Sequence, residues 1–232
     1  MNDEDDNIAR LRTGGIVAIA SGMDPGSAMK VADALVEGGI ACLEITLRSE
    51  GALRALEICA ARGDLMLGAG TVRTVAQAQA AVDAGADFLV SPGISTLLLE
   101  HCRQRRVWYI PGIATPTELM LAWEHGAAVV KFFPAATMGG PSALMELAGP
   151  FPDVSFIPTG GVTSRTAESY LRVPSVVAVG GSWLVDLRLV EHQSWGAIRD
   201  VAREAHDLAT SVLAESERRP RRGQQAAVGR RE

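Results

Sequence analysis

Residues 127–135 read AAVVKFFPA, an aliphatic and aromatic run broken by one charged side chain, Lys131. Such a run reads as a strand buried on both faces, the mark of a parallel sheet covered by helices. Seven runs of like character recur: GIVAIA (15–20), CLEITL (42–47), LMLGAG (65–70), FLVSP (88–92), VWYIPG (107–112), VSFIPTGG (154–161) and SVVAVGGS (175–182). They begin roughly every 20 to 25 residues, the spacing of strand and helix units. Helix-patterned stretches lie between them, such as PGSAMKVADALVEGG (25–39), TVAQAQAAVDAGA (74–86) and TPTELMLAWEHGA (115–127), with Pro or Thr near the start and Gly near the end. Eight strands alternating with helices predict a single-domain α/β fold, a (β/α)8 TIM barrel. An open doubly wound sheet is the alternative, disfavoured because no GxGxxG follows the first strand.

The chain has 232 residues, 47% of them hydrophobic, which suits one globular domain of barrel size. No apolar run reaches the length of a membrane span, and the acidic start MNDEDDN is unlike a transit peptide, so a cytoplasmic location and no membrane partner are expected. A net charge of −5 gives the body no electrostatic reason to seek nucleic acid. The end, SERRPRRGQQAAVGRRE from Ser216, is rich in Arg and poor in apolar residues, and is expected to be disordered. The domain reading is therefore an N-terminal segment over 1–14, a barrel over 15–213 and an Arg-rich tail over 214–232. Cys42, Cys59 and Cys102 are far apart and odd in number, which argues for small buried side chains rather than disulfides. The four histidines never take the HxH or HxxxH spacing of a metal site.

In a barrel of this kind the chemistry gathers at the carboxyl ends of the strands, and phosphate is often held by the last two loops. In CLEITLRSE, Leu43, Ile45 and Leu47 alternate with Glu44, Thr46 and Arg48, so Glu44 and Thr46 point inward and Arg48 lies at the rim. Lys131 shares its face with Val129 and Phe133. The chain holds two lysines against twenty arginines, and the other, Lys30, falls in a surface helix pattern. An arginine cannot shed its proton in a protein, whereas a desolvated lysine can, and a neutral amine forms Schiff bases with carbonyl substrates. The bland reading of Lys131 and Glu44 is a structural ion pair. The glycines of PTGG (158–161) and GGSWL (180–184), with the Thr159 and Ser182 hydroxyls, suit an anion at the seventh and eighth strand ends.

LEITLR, GAGTV, SPG, IPGIATPTE, KFFPA, PTGGV and GGSWL, in this order over about residues 15 to 190, closely resemble the bacterial 2-keto-3-deoxy-6-phosphogluconate (KDPG) and 4-hydroxy-2-oxoglutarate (KHG) aldolase family. The resemblance implies a class I aldolase, a carbon-carbon lyase that needs no cofactor and no metal and is usually a homotrimer. It assigns Lys131 as the Schiff-base lysine and Glu44 as the general acid/base. Arg48 and Thr71 correspond to residues that bind the pyruvate carboxylate, and Pro92 and Phe133 to pocket wall. Gly160, Gly161, Gly181 and Ser182 match phosphate-binding positions, and Thr159 a residue close to the sugar-acid chain, which favours the gluconate over the galactonate isomer. The implied substrate is a keto-acid phosphate. One departure stands out: many relatives carry arginine shortly after the first strand, where this chain has IASGMD (19–24).

Three rival readings lead elsewhere. A metal-dependent aldolase would use Glu44 as a ligand, but GAGTV, SPG and IPGIAT offer no further ligands at the strand ends. A phosphosugar isomerase or epimerase on the same barrel would use the phosphate loops and leave Lys131 without a covalent task. A phosphate-sensing barrel would make Glu44 and Lys131 a structural pair only.

Overall fold

Each of the eight runs forms a strand, and the fifth is divided. The structure, a computed structural model, describes residues 3–218. A leading helix α1 (Asp3–Gly14) is followed by β1 (Ile16–Ala20), α2 (Pro25–Glu37), β2 (Cys42–Thr46), α3 (Ala52–Ala60), β3 (Met66–Gly70), α4 (Val75–Asp83) and β4 (Phe88–Val90). Next come α5 (Thr96–Arg105), β5 (Trp108–Ile110), β6 (Gly112–Ile113), α6 (Pro116–Glu124), β7 (Val129–Phe132), α7 (Gly140–Ala148) and β8 (Ser155–Pro158). The described part of the chain ends with α8 (Ala167–Leu171), β9 (Val179–Gly181), a 3-10 turn (Ser182–Leu184), α9 (Leu187–Glu191) and α10 (Trp195–Arg218). No described helix is long and apolar enough to cross a membrane.

The strands make an α/β fold of wholly parallel pairs in two sheets. One has the order β5-β4-β3-β2-β1-β9, the other β6-β7-β8. The exchange between sheets occurs at Pro111, which lies between β5 and β6. Proline has no N–H to continue a ladder, while its carbonyl accepts the Lys131 amide at 2.9 Å and so turns the chain toward β7. On the other side, isolated parallel bridges join Phe156 to Val176 and Thr159 to Gly180, between β8 and the approach to β9.

Helix starts follow their sequence signals. Thr74, Ser95 and Thr115 each accept a backbone N–H at the first turn of α4, α5 and α6, and Glu118 completes a capping box with Thr115. Alternation along the strands divides the core in two. Leu43, Ile45, Leu67, Ala69, Val130 and Phe132 face the helices. Val17, Ile19, Met66, Phe88, Val129 and Ile157, drawn from both sheets, pack together on the opposite, inner face.

Both described chain ends are helical. Within the expected N-terminal segment, residues 1–14, α1 sends Leu11, 1% exposed, into the inner cluster that holds Cys42 and Met66 at the starts of their strands. The tail was expected from 214, yet α10 continues to Arg218. Ile198, Ala202, Ala205, Ala209 and Val212 recur at helical spacing and are all buried, which seats the helix on the core as far as Val212. The rest of the expected tail, from 219, lies outside the described residues. All three cysteines are free and buried, and burial pushes the Cys59 and Cys102 thiols up to about 11 and raises Cys42 further, its next contribution coming from Glu44. Their reading as small core side chains holds.

Leu11 makes α1 part of the core, so Leu11→Ala should lower stability by about 2–5 kcal/mol, the usual cost of a buried Leu-to-Ala cavity. The midpoint of urea unfolding measures it; an unchanged midpoint would mean that α1 is only appended.

Candidate active site

Five polar or charged residues are buried among those described: Glu44, Thr46, Ser91, Lys131 and Thr159. All lie on strands or immediately after them. Glu44 and Thr46 belong to the inward column Cys42, Glu44, Thr46 of β2, and Lys131 to the inward column of β7, so the two charges meet across the inner face. Lys131 Nζ lies 3.1 Å from Glu44 Oε1 and 3.4 Å from Oε2. Their residues are 7% and 3% exposed, and the pocket they share is lined by Thr159 and by apolar Val17, Phe88 and Ile157. Phe133 turns its ring toward the amine, with the centroid 5.7 Å from Nζ, which places an electron-rich face near the cation.

Room for the carboxylate depends on Gly70. A Cβ there would come within 2.0 Å of Glu44 Oε1, so the side chain of Glu44 lies across the bare backbone at the end of β3. The next residue, Thr71, takes a left-handed backbone with φ 60°, which is uncommon outside glycine and asparagine and is often met at functional sites.

The remaining expected residues form the rim. Arg48 stands exposed two residues beyond β2, and no ion pair holds it among the described residues. Pro92, also exposed, begins the turn after β4. That turn is tied down by Ser91, whose hydroxyl donates to the Gly93 carbonyl, accepts from the Gly112 amide at 3.4 Å and lies 2.6 Å from the Tyr109 hydroxyl. Because the Ser91 proton is committed to Gly93, Tyr109 is the donor. Burial is the main cause that pushes the Tyr109 phenol up to about 12.

Across the mouth, Gly160 and Gly161 both have left-handed backbones, and a Cβ on Gly161 would lie 2.5 Å from that of Ala136. The amides of Ala135 and Ala136 donate to the carbonyls of Thr159 and Gly160, which pins the turn after β8 against the turn after β7. The Thr159–Gly180 bridge brings β9 alongside, and Ser182 is exposed just beyond it. Thus Lys131, Glu44, Thr159 and Phe133 come together, while Gly160, Gly161, Gly181 and Ser182 gather on two adjacent strand ends. Arg48, Thr71 and Pro92 occupy the rim and make no hydrogen bond to the Lys131–Glu44 pair. The Ser91–Tyr109 pair escaped the sequence reading, since Tyr109 looks there like one more core aromatic.

Comparison with known proteins gives a consistent result. The family described as "Aldolase: KDPG and KHG aldolase" matches residues 7–201. A 2-dehydro-3-deoxy-phosphogluconate aldolase of Pseudomonas aeruginosa is 43% identical over 178 residues, covering 76% of this chain and 81% of its own. The crystal structure of the 2-keto-3-deoxy-6-phosphogluconate aldolase of Zymomonas mobilis with 3-phosphoglycerate superposes with a TM-score of 0.82 at 35% identity, covering 90% of this chain and 97% of that one. A KDPG aldolase of Legionella pneumophila, with pyruvate captured as a covalent carbinolamine, gives 0.80 at 37% identity over 88% and 97% of the two chains.

The buried pair is exposed to a double test. Lys131→Met leaves Glu44 as a buried charge without its partner and should cost about 3–5 kcal/mol, while Lys131→Met with Glu44→Leu should regain most of that loss. Urea midpoints of the two variants measure the difference; equal midpoints would show that the two side chains are not coupled.

Proposed function

The chain belongs to the KDPG and KHG aldolase family, and we infer that it is a class I aldolase with Lys131 as its Schiff-base residue. It cleaves 2-keto-3-deoxy-6-phosphogluconate to pyruvate and glyceraldehyde 3-phosphate, and 4-hydroxy-2-oxoglutarate to pyruvate and glyoxylate. The observation that carries this reading is the amine of Lys131 held 3.1 Å from Glu44 in a pocket lined, apart from Thr159, by apolar side chains.

Lys131 Nζ adds to the C2 ketone of the keto acid, and loss of water gives the iminium. Glu44, through a water molecule, takes the proton of the C4 hydroxyl. The C3–C4 bond breaks, its electrons flow into the iminium to form an enamine, and the aldehyde leaves. Protonation at C3 and hydrolysis release pyruvate and restore the lysine. Arg48 and Thr71 hold the pyruvate carboxylate at the rim, Arg48 as a charge-assisted partner that orients C2 toward the amine, and Pro92 and Phe133 wall the pocket. Gly160, Gly161, Gly181 and Ser182 hold the phosphate at the far end, with Thr159 beside the chain between. Thr159 supports the gluconate isomer over the galactonate isomer.

A closed (β/α)8 barrel over residues 15–213 is the frame we propose for this chemistry. The partner exchange at Pro111 and the bridges from β8 to β9 support a continuous ring. A homotrimer is proposed too. Leu97, Met120, Trp123, Met138 and Met145, on α5, α6, α7 and the turn before α7, are large and exposed, a surface suited to a second copy of the chain. Three reduced thiols suit the cytoplasm.

Borohydride added with pyruvate should fix a three-carbon adduct on Lys131, seen in the peptide mass spectrum, and Lys131→Arg should abolish it because guanidinium stays charged. An adduct on Lys30, or cleavage that needs a divalent ion after treatment with EDTA, would overturn the assignment. At the other end of the substrate, Ser182→Ala removes one hydroxyl from the phosphate site. Loss of a hydrogen bond to a charged group predicts about a ten- to hundredfold fall in kcat/KM for the phosphorylated substrate, with little change for 4-hydroxy-2-oxoglutarate. Equal losses on both would refute a dedicated phosphate role.

A further inference from the structure

The mouth of the pocket has a second polar pair, one layer above the ion pair. Inward positions alternate along β1 as Val17 and Ile19, both in the inner cluster, and the next in the series is Ser21, the first residue beyond the strand. Neighbouring β2 runs Cys42, Glu44, Thr46 on the same face, and β1 pairs it in parallel with Ala20 opposite Ile45. Ser21 therefore stands beside Thr46 and above Glu44. The Thr46 hydroxyl donates to Ser21 Oγ at 3.1 Å.

That bond fixes what Ser21 can offer. Thr46 is 1% exposed, so its hydroxyl is held out of water and satisfied by Ser21. The accepting side of Ser21 faces Thr46, and its own proton goes to no acceptor among the described residues. Gly22, with φ 73°, then turns the chain away, leaving Ser21 as the last inward side chain of β1, partly exposed at the mouth. What remains is one neutral hydrogen-bond donor, on a partly exposed side chain at the end of the inward column of β1.

Its position selects the ligand group. In sheet order β1 lies between β2, which leads to Arg48, and β9, which leads to Ser182. A substrate with its carboxylate near Arg48 and its phosphate near Ser182 passes the tip of β1 with the carbons of its aldehyde half. The hydroxyl at C4 belongs to Glu44, one layer below. The next polar group along the chain is the hydroxyl at C5, neutral and able to accept.

We propose that Ser21, oriented by Thr46, is a specificity-determining residue that donates a hydrogen bond to the C5 hydroxyl of the substrate. The inference rests on the aldolase reading above. It makes the tip of β1 a reader of the polyol chain, separate from the groups that hold the carboxylate and the phosphate.

The test runs the reaction in the direction of bond formation, adding pyruvate to three acceptors: D-glyceraldehyde 3-phosphate, D-glyceraldehyde and glyoxylate. The first two carry the hydroxyl that becomes C5, only the first carries phosphate, and glyoxylate carries neither. Ser21→Ala should lower kcat/KM for both glyceraldehydes by about three- to tenfold relative to glyoxylate, the worth of one neutral hydrogen bond. Ser21→Thr, which keeps the hydroxyl, should restore the ratio, and Thr46→Val should give a smaller loss with the same preference. A loss confined to the phosphorylated acceptor would assign Ser21 to the phosphate and overturn the proposal. So would equal losses on all three acceptors, or no loss. A wild-type protein that adds pyruvate to none of them would instead overturn the aldolase reading, and the role of Ser21 with it.

Discussion

Two opposite charges held inside an apolar pocket are the constraint on which the rest of this structure depends. Neither Lys131 nor Glu44 can be buried alone without a large desolvation cost, and each offsets that cost for the other only at hydrogen-bond distance. They come from strands 87 residues apart in sequence, so the pair forms only when β2 and β7, which lie in different sheets, face one another. Several local features follow from that demand. Gly70 leaves the space through which the Glu44 carboxylate reaches, and Pro111 passes the chain from β4 to β7 while its carbonyl accepts the amide of Lys131 itself. A buried ion pair of this kind contributes little net stability. Its retention in a pocket of Val, Ile and Phe is therefore better explained by chemistry than by folding.

Residues that violate their own segment's pattern were the ones legible in the sequence. Lys131 interrupts an apolar run, and Glu44 and Thr46 interrupt CLEITL at period two, so both their inward direction and their conflict with burial could be read without coordinates. The glycine pairs at 160–161 and 180–181 were legible for a related reason, since two such pairs end consecutive strands. The alternation of apolar runs with helical stretches likewise fixed the number of strand segments, because parallel strands need crossovers of that length.

What stayed hidden depends on which neighbour a residue meets, and a one-dimensional pattern does not carry that. Pro111 was visible, but a proline in a strand can mark a bulge or an edge as well as a change of partner. Tyr109 alternates correctly as an outward core residue, and nothing local says that its hydroxyl reaches Ser91 and so holds the turn that bears Pro92. The small apolar side chains at 202, 205 and 209 give a weak helical signal amid charge, and for that reason α10 outran the expected start of the tail. Ser21 follows a strand and precedes a glycine, the place where serine is ordinarily a turn residue. Only its contact with Thr46 separates it from that role.

The parallel arrangement also explains why the chemistry has one entrance. All strands point the same way, so their carboxyl ends, with Thr46, Thr71, Thr159 and Gly181, open at one face of the molecule. At the opposite face the inner columns begin with Cys42 and Met66, and Leu11 from α1 packs against them. The charge pair thus has apolar side chains below it and hydroxyls above it. In the proposed reaction a keto acid enters from this face, past Ser21 and Thr46, to bring its C2 carbonyl to Lys131. Charge is thus confined to one pair in the inner face, and the exposed Arg48 and Ser182 stand at the same open end of the strands.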